Sequence, residues 1–439
     1  MRIAITALLR LAVRIFFRRI ELIGSERVPV HSPAVFACNH PNGLVDPLFL
    51  LCFAGRPVSF LGKAPLLGYF FIGWFVRLFE TIPVYRKQDN TTGSTRETFD
   101  RARAVLRRGG AIAIFPEGTT HDDPQLRELK TGAARIALGA RLDDIVVVPT
   151  GIYYTAKNVF RSSALVVFGD PIAVPRAGLD ATGEPLADDV DALTATIEER
   201  LDAVTVQADS HAALELIGRA EDIFTANDEQ PVAEEFELRR RFVEGYHHLR
   251  THDPVRLEKL VSAILQFESA LRRAKIDVHE LRPRISAARL FRVMVMLPLA
   301  LAGAIASYPA YLLVGLLAKR VSKGEGAVMA TIKFVAALLL YPISYIVAGI
   351  AAGIRFGWLT GLATGLALPI VAYVALIVFE DIDDIIGDVR AILYRVFRRY
   401  GYERLVAQRR AIRDEIMTVA RELGYEDRPP IFPRIIRSP

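Results

Sequence analysis

Apolar positions in the first 180 residues fall into short β-branched runs separated by stretches with the period of a helix. Runs at 34–38, 58–61, 81–85, 111–115, 145–148 and 165–168 read as strands. Helical patterns lie between them, notably at 98–108 and 131–142. Strand and helix in alternation predict an α/β domain over residues 25–180. A segment rich in Ala, Asp, Gly and Pro follows at 175–188, and residues 189–290 then read as charged amphipathic helices without strand signals. The pattern changes once more at 294, where apolar segments begin at 294–318, 334–354 and 356–379. Each reaches the ~20 residues that a helix needs to cross the hydrocarbon core. Pro298, Pro309, Pro342 and Pro369 lie inside them and predict kinks that neighbouring helices can tolerate. Only Arg355 separates the second segment from the third, which predicts a tight hairpin. The tail, 380–439, opens acidic and becomes basic and aromatic.

Composition sharpens this division. Hydrophobic residues make up 52% of the 439 positions, and the excess collects in 291–379 rather than spreading along the chain. A soluble α/β part is therefore joined to a membrane part. The net charge of +6 suits anionic lipid or a phosphorylated substrate. No aromatic–basic alternation or groove-reading motif points to nucleic acid, so no nucleic-acid partner is expected. Cys38 and Cys52 are the two cysteines, too few for a disulfide framework or a metal set. They fit a reducing compartment.

Residues 1–24 are apolar but interrupted by Arg2, Arg10, Arg14, Arg18 and Arg19. A secretory segment would not carry Arg10 and Arg14 in its apolar run. Arg10, Arg14 and Arg18 recur every four residues and share one helical face, which predicts an amphipathic helix on an anionic membrane surface. A helix packed on the soluble domain is the other reading of this pattern. With no export signal, the α/β domain is expected to face the cytoplasm. Lys319, Arg320 and Lys323 place the loop after the first apolar segment there too, so the topology of 294–379 stays open.

The candidate chemistry begins at Asn39–Pro47, NHPNGLVDP. His40 follows the apolar run 34–38, and an exposed histidine at a strand's carboxyl end sits where open α/β sheets bind ligands. Asp46 comes six residues later, before a helical run. A histidine oriented by a carboxylate is what general-base catalysis needs, and no serine or cysteine nucleophile is required if an acceptor hydroxyl attacks. Taken alone, the two could equally be a turn histidine and a helix cap. The segment Phe115–His121, FPEGTTH, changes that weighing, because it follows a strand to the same edge. Glu117 there can bind acceptor hydroxyls, and Gly118 lets backbone approach a ligand. Lys63, Arg86 and Lys130 gather near strand ends, as a phosphate-bearing acceptor would require.

These blocks, in this order and spacing, resemble the glycerophospholipid acyltransferase family of 1-acylglycerol-3-phosphate and glycerol-3-phosphate acyltransferases. His40 and Asp46 resemble its first block, Ile82 to Arg86 its second, Phe115 to Thr119 its third and Val147 to Pro149 its fourth. The resemblance covers about residues 30–175. It implies acyl transfer from acyl-CoA or acyl-carrier protein as co-substrate, with no resident cofactor, and a phosphate contact at Arg86. One departure stands out. The family's motif has four residues between His and Asp, and here five intervene, so the turn must absorb one residue for Asp46 to reach His40. Residues 115–140 and 151–172 resemble the fungal-type glycerol-3-phosphate acyltransferases, which adds Lys130 and Arg161 to the expected phosphate contacts and favours glycerol 3-phosphate over lysophosphatidate.

The architecture expected is an α/β acyltransferase domain, a mixed central sheet flanked by helices, followed by a helical region and C-terminal membrane helices. The protein would be an integral membrane enzyme, of a bacterial inner membrane or its equivalent, with an acyl thioester donor, a glycerol-phosphate acceptor and anionic lipid as partners. The apolar stretch 66–79 is expected to form part of an acyl-chain site, a membrane-dipping surface or a buried helix. His247, His248, His252 and Asp253 lie close in sequence, but the segment is highly charged and lacks a Cys partner, so no metal is expected. Cys38 is expected to be a small buried hydrophobe rather than a nucleophile. A non-catalytic lipid-binding protein is the rival of another class. It is disfavoured by the intact His40, Glu117 and Arg86. A transporter is disfavoured by the lack of charges within the apolar segments.

Overall fold

Alternation within one buried strand sorts the soluble part into layers. In Ala34–Cys38, residues Ala34, Phe36 and Cys38 face one apolar cluster while Val35 and Ala37 face another. A strand covered on both faces reads as a continuous apolar run, which is why it stood out in the sequence. The computed structural model describes residues 2–65, 73, 77–85, 94–121, 123–156, 159–225, 231–281, 286–322, 326–425 and 435–437. Its strands are β1 (Arg19–Ile23), β2 (Ala34–Cys38), β3 (Val58–Lys63), β4 (Ile82–Val84), β5 (Ala111–Ile114), β6 (Val146–Tyr154), β7 (Ser163–Phe168), β8 (Ile172–Ala173) and β9 (Ile435–Arg437). They form one mixed sheet in the order β4-β3-β5-β2-β6-β7-β1-β9, with β8 beside β6. Strands β2 to β6 run parallel to one another, whereas β7 and β8 are antiparallel to β6.

One face of the sheet carries α1 (Arg2–Phe16) and α2 (Val45–Phe53) through Leu9, Val13, Phe16, Phe49 and Phe53. The other carries α3 (Thr95–Arg107), α4 (Gly132–Ala140) and α5 (Ala187–Asp202). Helix α3 starts at Ser94, whose hydroxyl accepts the Glu97 N–H at 3.2 Å, so a serine cap opens the apolar stripe.

The structure revises three boundaries. The expected helix over 1–24 ends at Phe16, and Arg19–Ile23 is a strand pairing with β7. One stripe of α1 is buried in the core, while Ile3, Leu8 and Leu11 remain exposed, so the helix has both a packing face and an outward apolar face. The helical region is not separate from the sheet either. Helix α5 packs on it, as do Val232, Ala233 and Phe236 at the start of α7 (Val232–His252). Finally, α6 (His211–Thr225) and α8 (Pro254–Ala274) share an apolar cluster with the C-terminal helix Arg399–Glu422. The helical region and the tail are thus one body with the membrane segments inserted between them.

Those segments are α9 (Ala287–Ser322), α10 (Gly326–Phe356) and α11 (Trp358–Phe397), followed by α12 (Arg399–Glu422). All three are long and apolar enough to cross a membrane. Their surfaces expose Ile305, Ile354 and Leu366, apolar area that a bilayer would cover. The helices remain continuous through their prolines, and the hairpin turns at Gly357 rather than Arg355. Gly357 has φ +97°, a conformation that L side chains rarely adopt. Arg292 makes two 2.6 Å bonds to Asp381, holding the start of α9 to the acidic stretch of α11. Of the stretch 66–79, only Gly73 and residues 77–79 are described, with Phe79 buried in the core.

Candidate active site

Parallel strands deliver their carboxyl ends to one edge of the sheet, and the predicted site residues follow those ends. His40 lies two residues past β2, Lys63 closes β3, and Glu117 and Gly118 follow β5. Asn39 fastens this edge. Its carboxamide donates to the Ile152 carbonyl at 3.1 Å and accepts the Ile152 N–H at 2.7 Å, binding the loop to β6.

The turn after His40 absorbs the additional residue. The Asn42 carbonyl accepts from Val45 N at 2.9 Å and Asp46 N at 3.2 Å, which starts α2 with Asp46 in its first turn. Asp46 does not cap the helix. Its carboxylate turns inward, fully buried, and meets His40 Nδ1 at 2.8 Å. The Asn42 N–H donates to the same oxygen at 2.7 Å, and the Tyr154 hydroxyl donates to the other at 2.6 Å. A carboxylate only accepts, so the proton of the neutral imidazole is assigned to Nδ1 and Nε2 carries the lone pair. The ring stacks on Phe115 with centroids 4.1 Å apart and remains 16% exposed. A buried carboxylate and an oriented, partly exposed imidazole together can accept a proton from a hydroxyl.

Glu117, expected to meet acceptor hydroxyls, is instead buried and engaged. One oxygen accepts the His40 backbone N–H at 3.0 Å; the other accepts Arg127 N at 3.1 Å and pairs with His121 Nε2. His121 Nδ1 accepts from Asp123 N at 3.1 Å, so this ring is fixed from both sides. Glu117 thereby joins the two loops. Gly118 has φ +74°, and a side chain there would begin 2.5 Å from Lys130 Nζ, so its bareness admits that ammonium. Lys63 and Lys130 are exposed. Arg161 is drawn elsewhere, with Nε at 2.7 Å and Nη2 at 3.2 Å from the carboxylate of Glu380 on α11. Arg86 lies outside the described residues.

Cys38 is buried beneath the site, and burial pushes its thiol well above the ordinary range, with Thr150 and Asp46 as lesser influences. A thiol kept protonated is a poor nucleophile. His247 Nδ1 turns to Asp209 at 3.3 Å while His248 stacks on His252, so these histidines do not converge on one point.

Residues 19–153 match the family model described as Acyltransferase. This segment is similar to the acyltransferase domain that the model describes. Residues 223–427 match the model described as Glycerol-3-phosphate acyltransferase 2 C-terminal domain, a range that runs from the end of α6 through α12 and includes the three apolar helices. Among similar proteins is glycerol-3-phosphate O-acyltransferase 2 of Saccharomyces cerevisiae, 30% identical over 287 residues, which are 59% of this chain and 38% of that protein. Glycerol-3-phosphate O-acyltransferase 1 of the same yeast is 25% identical over 94% of this chain and 70% of its own length. A chloroplastic 1-acyl-sn-glycerol-3-phosphate acyltransferase of Arabidopsis thaliana is 28% identical over 32% of this chain and 38% of its own. The chain therefore spans between about two fifths and seven tenths of the yeast relatives.

Two contributors to the His40 site, Tyr154 and Asn42, carry no signal in the sequence that marks them as such. Asn42 stood inside the quoted motif, but its contribution is a backbone N–H, which residue type does not reveal. Tyr154 reaches Asp46 from 108 positions away. Its only local signal was a tyrosine on the same face of a strand as Ile152.

Proposed function

We propose that the protein is a membrane-bound O-acyltransferase that moves a fatty acyl group from an acyl thioester to glycerol 3-phosphate. The observation carrying this reading is the 2.8 Å contact of His40 Nδ1 with the buried Asp46 carboxylate at the sheet edge. His40 Nε2 takes the proton of the acceptor hydroxyl as its oxygen attacks the thioester carbonyl carbon. The tetrahedral intermediate then collapses, the carbon–sulfur bond breaks, and the imidazolium returns the proton to the leaving thiolate. Asp46 stabilises the transient imidazolium. Lys63, Lys130 and Arg86 hold the acceptor phosphate. Glu117 acts by fixing the loop that bears His40. Arg161 joins the phosphate contacts only if it releases Glu380. The acylated product partitions into the bilayer beside the apolar helices. The choice of glycerol 3-phosphate is supported by the match of residues 223–427 and by the named activities of the two yeast relatives.

The test is acyl transfer by the detergent-solubilised protein from palmitoyl-CoA to labelled glycerol 3-phosphate and, separately, to lysophosphatidate. The His40→Ala variant is assayed in parallel. Turnover of glycerol 3-phosphate that disappears in the folded variant is expected. Turnover of lysophosphatidate alone would keep the mechanism and change the acceptor. An active, folded His40→Ala protein would overturn the base assignment. Arg86→Ala is expected to raise the acceptor KM far more than the donor KM, and an unchanged acceptor KM would remove Arg86 from the phosphate site.

A further inference from the structure

We propose that Tyr154 is a positioning residue for acyl transfer, holding the Asp46 carboxylate in the one orientation from which it can direct His40. The proposal rests on the His40–Asp46 reading above and adds a third member to it. Asp46 has two oxygens to control. One receives both the His40 ring and the Asn42 N–H; the other receives the Tyr154 hydroxyl at 2.6 Å. Both partners on the first oxygen come from the same turn as Asp46 itself. Those bonds fix the carboxylate only relative to its own turn. Tyr154 supplies a hold from outside the turn.

Its own position is over-determined. Tyr154 ends β6, whose Ile152, two residues earlier on the same face, is clamped by the Asn39 carboxamide through two hydrogen bonds. The Tyr154 ring stacks on Phe17, centroids 5.6 Å apart, and meets Phe49 of α2 at 5.7 Å. The ring is thus wedged between the end of α1 and the helix that carries Asp46. Burial, reinforced by the neighbouring Asp46 charge, raises the hydroxyl well above its ordinary range, so it stays a donor. Without that donor, the second carboxylate oxygen is a buried acceptor with nothing to accept. Such groups rotate or recruit water to recover a partner. Either response turns His40, and displacements of about 1 Å in a reacting constellation cost on the order of 100-fold in rate.

Tyr154→Phe removes one oxygen atom and keeps the ring packing. It is expected to lower kcat about 10- to 100-fold while the acceptor KM stays within about twofold. In an Asp46→Asn background, adding Tyr154→Phe is expected to change the residual kcat less than about threefold, because the group it positions is already gone. Thermal midpoints of all four proteins give the control for folding. Equal losses in both backgrounds, tracking a fall in midpoint, would mean that Tyr154 serves only the fold and would overturn the proposal. So would a Tyr154→Phe protein with full kcat beside a dead His40→Ala protein, a result that leaves the base assignment standing. An active His40→Ala protein would instead remove the reaction scheme on which both depend.

Discussion

Adjacent residues of β6 serve opposite faces of the sheet, and each meets buried carboxyl groups of a different kind. Tyr154 faces Asp46, a single carboxylate saturated by three donors. Tyr153 faces the helical body. Its hydroxyl lies 3.3 Å from Glu235, its ring lies 5.3 Å below the Arg239 guanidinium, and Arg239 Nε bonds Glu221 at 2.5 Å. Here donors are scarce. Glu221, Asp222 and Glu235 crowd one guanidinium, and Glu221 keeps an oxygen with no hydrogen-bond partner among the described residues. Burial raises all three carboxyls, Glu221 to about 7, against the opposing pull of Arg239 and, at Asp222, of His279 ahead of it. A donor-rich face fixes a geometry. A donor-poor face joins two bodies across carboxyl groups that burial has raised.

The comparison breaks most sharply at Asp46. Asp46→Ala leaves the Tyr154 hydroxyl and the Asn42 N–H without an acceptor and His40 without an orienter. Losing the carboxylate of a Ser-His-Asp triad costs about 10⁴-fold in kcat, and a loss of about 10³- to 10⁴-fold is expected here. The pH dependence of thermal stability should stay that of the wild-type protein, because the Glu221 group lies across the sheet. Steady-state kinetics beside melting curves from pH 5 to 8 read both. A variant with near-normal kcat would show that the donor-rich face is only structural.

Next in size is Arg239→Leu. It removes the guanidinium that bonds Glu221 and strands buried carboxylates, a change that typically costs about 3–5 kcal/mol. The loss should be largest at pH 8 and smaller at pH 6, where the carboxyl groups take up protons. The kcat of the folded fraction should hold, since Arg239 touches only the Tyr153 side of β6. Chemical denaturation at the two pH values measures the first effect, and kcat normalised to folded protein measures the second. A fall in kcat would mean that the two faces are coupled through the strand.

How far the sequence could be read follows the same division. Strands β2, β5 and β7 were legible because burial on both faces leaves no polar position to confuse the pattern. His40, Lys63 and Glu117 share one edge because parallel strands bring their ends together. The strand Arg19–Ile23 was hidden by its charges. Glu21 breaks the apolar run, yet it is fully buried because its carboxylate accepts the Ala233 N–H, 212 positions later, at 2.9 Å. Arg161 was read as a phosphate contact when its partner, Glu380, lay 219 positions away. The sequence marks Glu117 for its chemistry, and in the fold its carboxylate ties two loops. In each case the residue type announced a charge, and only the fold says what meets it. The same holds for Tyr153 and Tyr154, identical neighbours whose roles are set by the side of the sheet to which each points.

The finest test of the comparison is Glu221→Gln. The Glu221 carboxyl titrates at about 7 in the folded protein against an ordinary value of 4.5. Between those values the folded state holds more protons than the unfolded state, so stability must fall as pH rises. The contribution is fully present below about 4.5 and is lost as pH passes through about 7. Glutamine keeps the shape and cannot titrate. Its melting midpoint should therefore decline less between pH 5 and 8 than that of the wild-type protein, with kcat unchanged across the series. Asp222 and Glu235 are raised in the same direction, so the slope should shrink rather than vanish. An undiminished slope would assign the pH sensitivity to those two neighbours, and the unpartnered oxygen of Glu221 would then have no thermodynamic consequence.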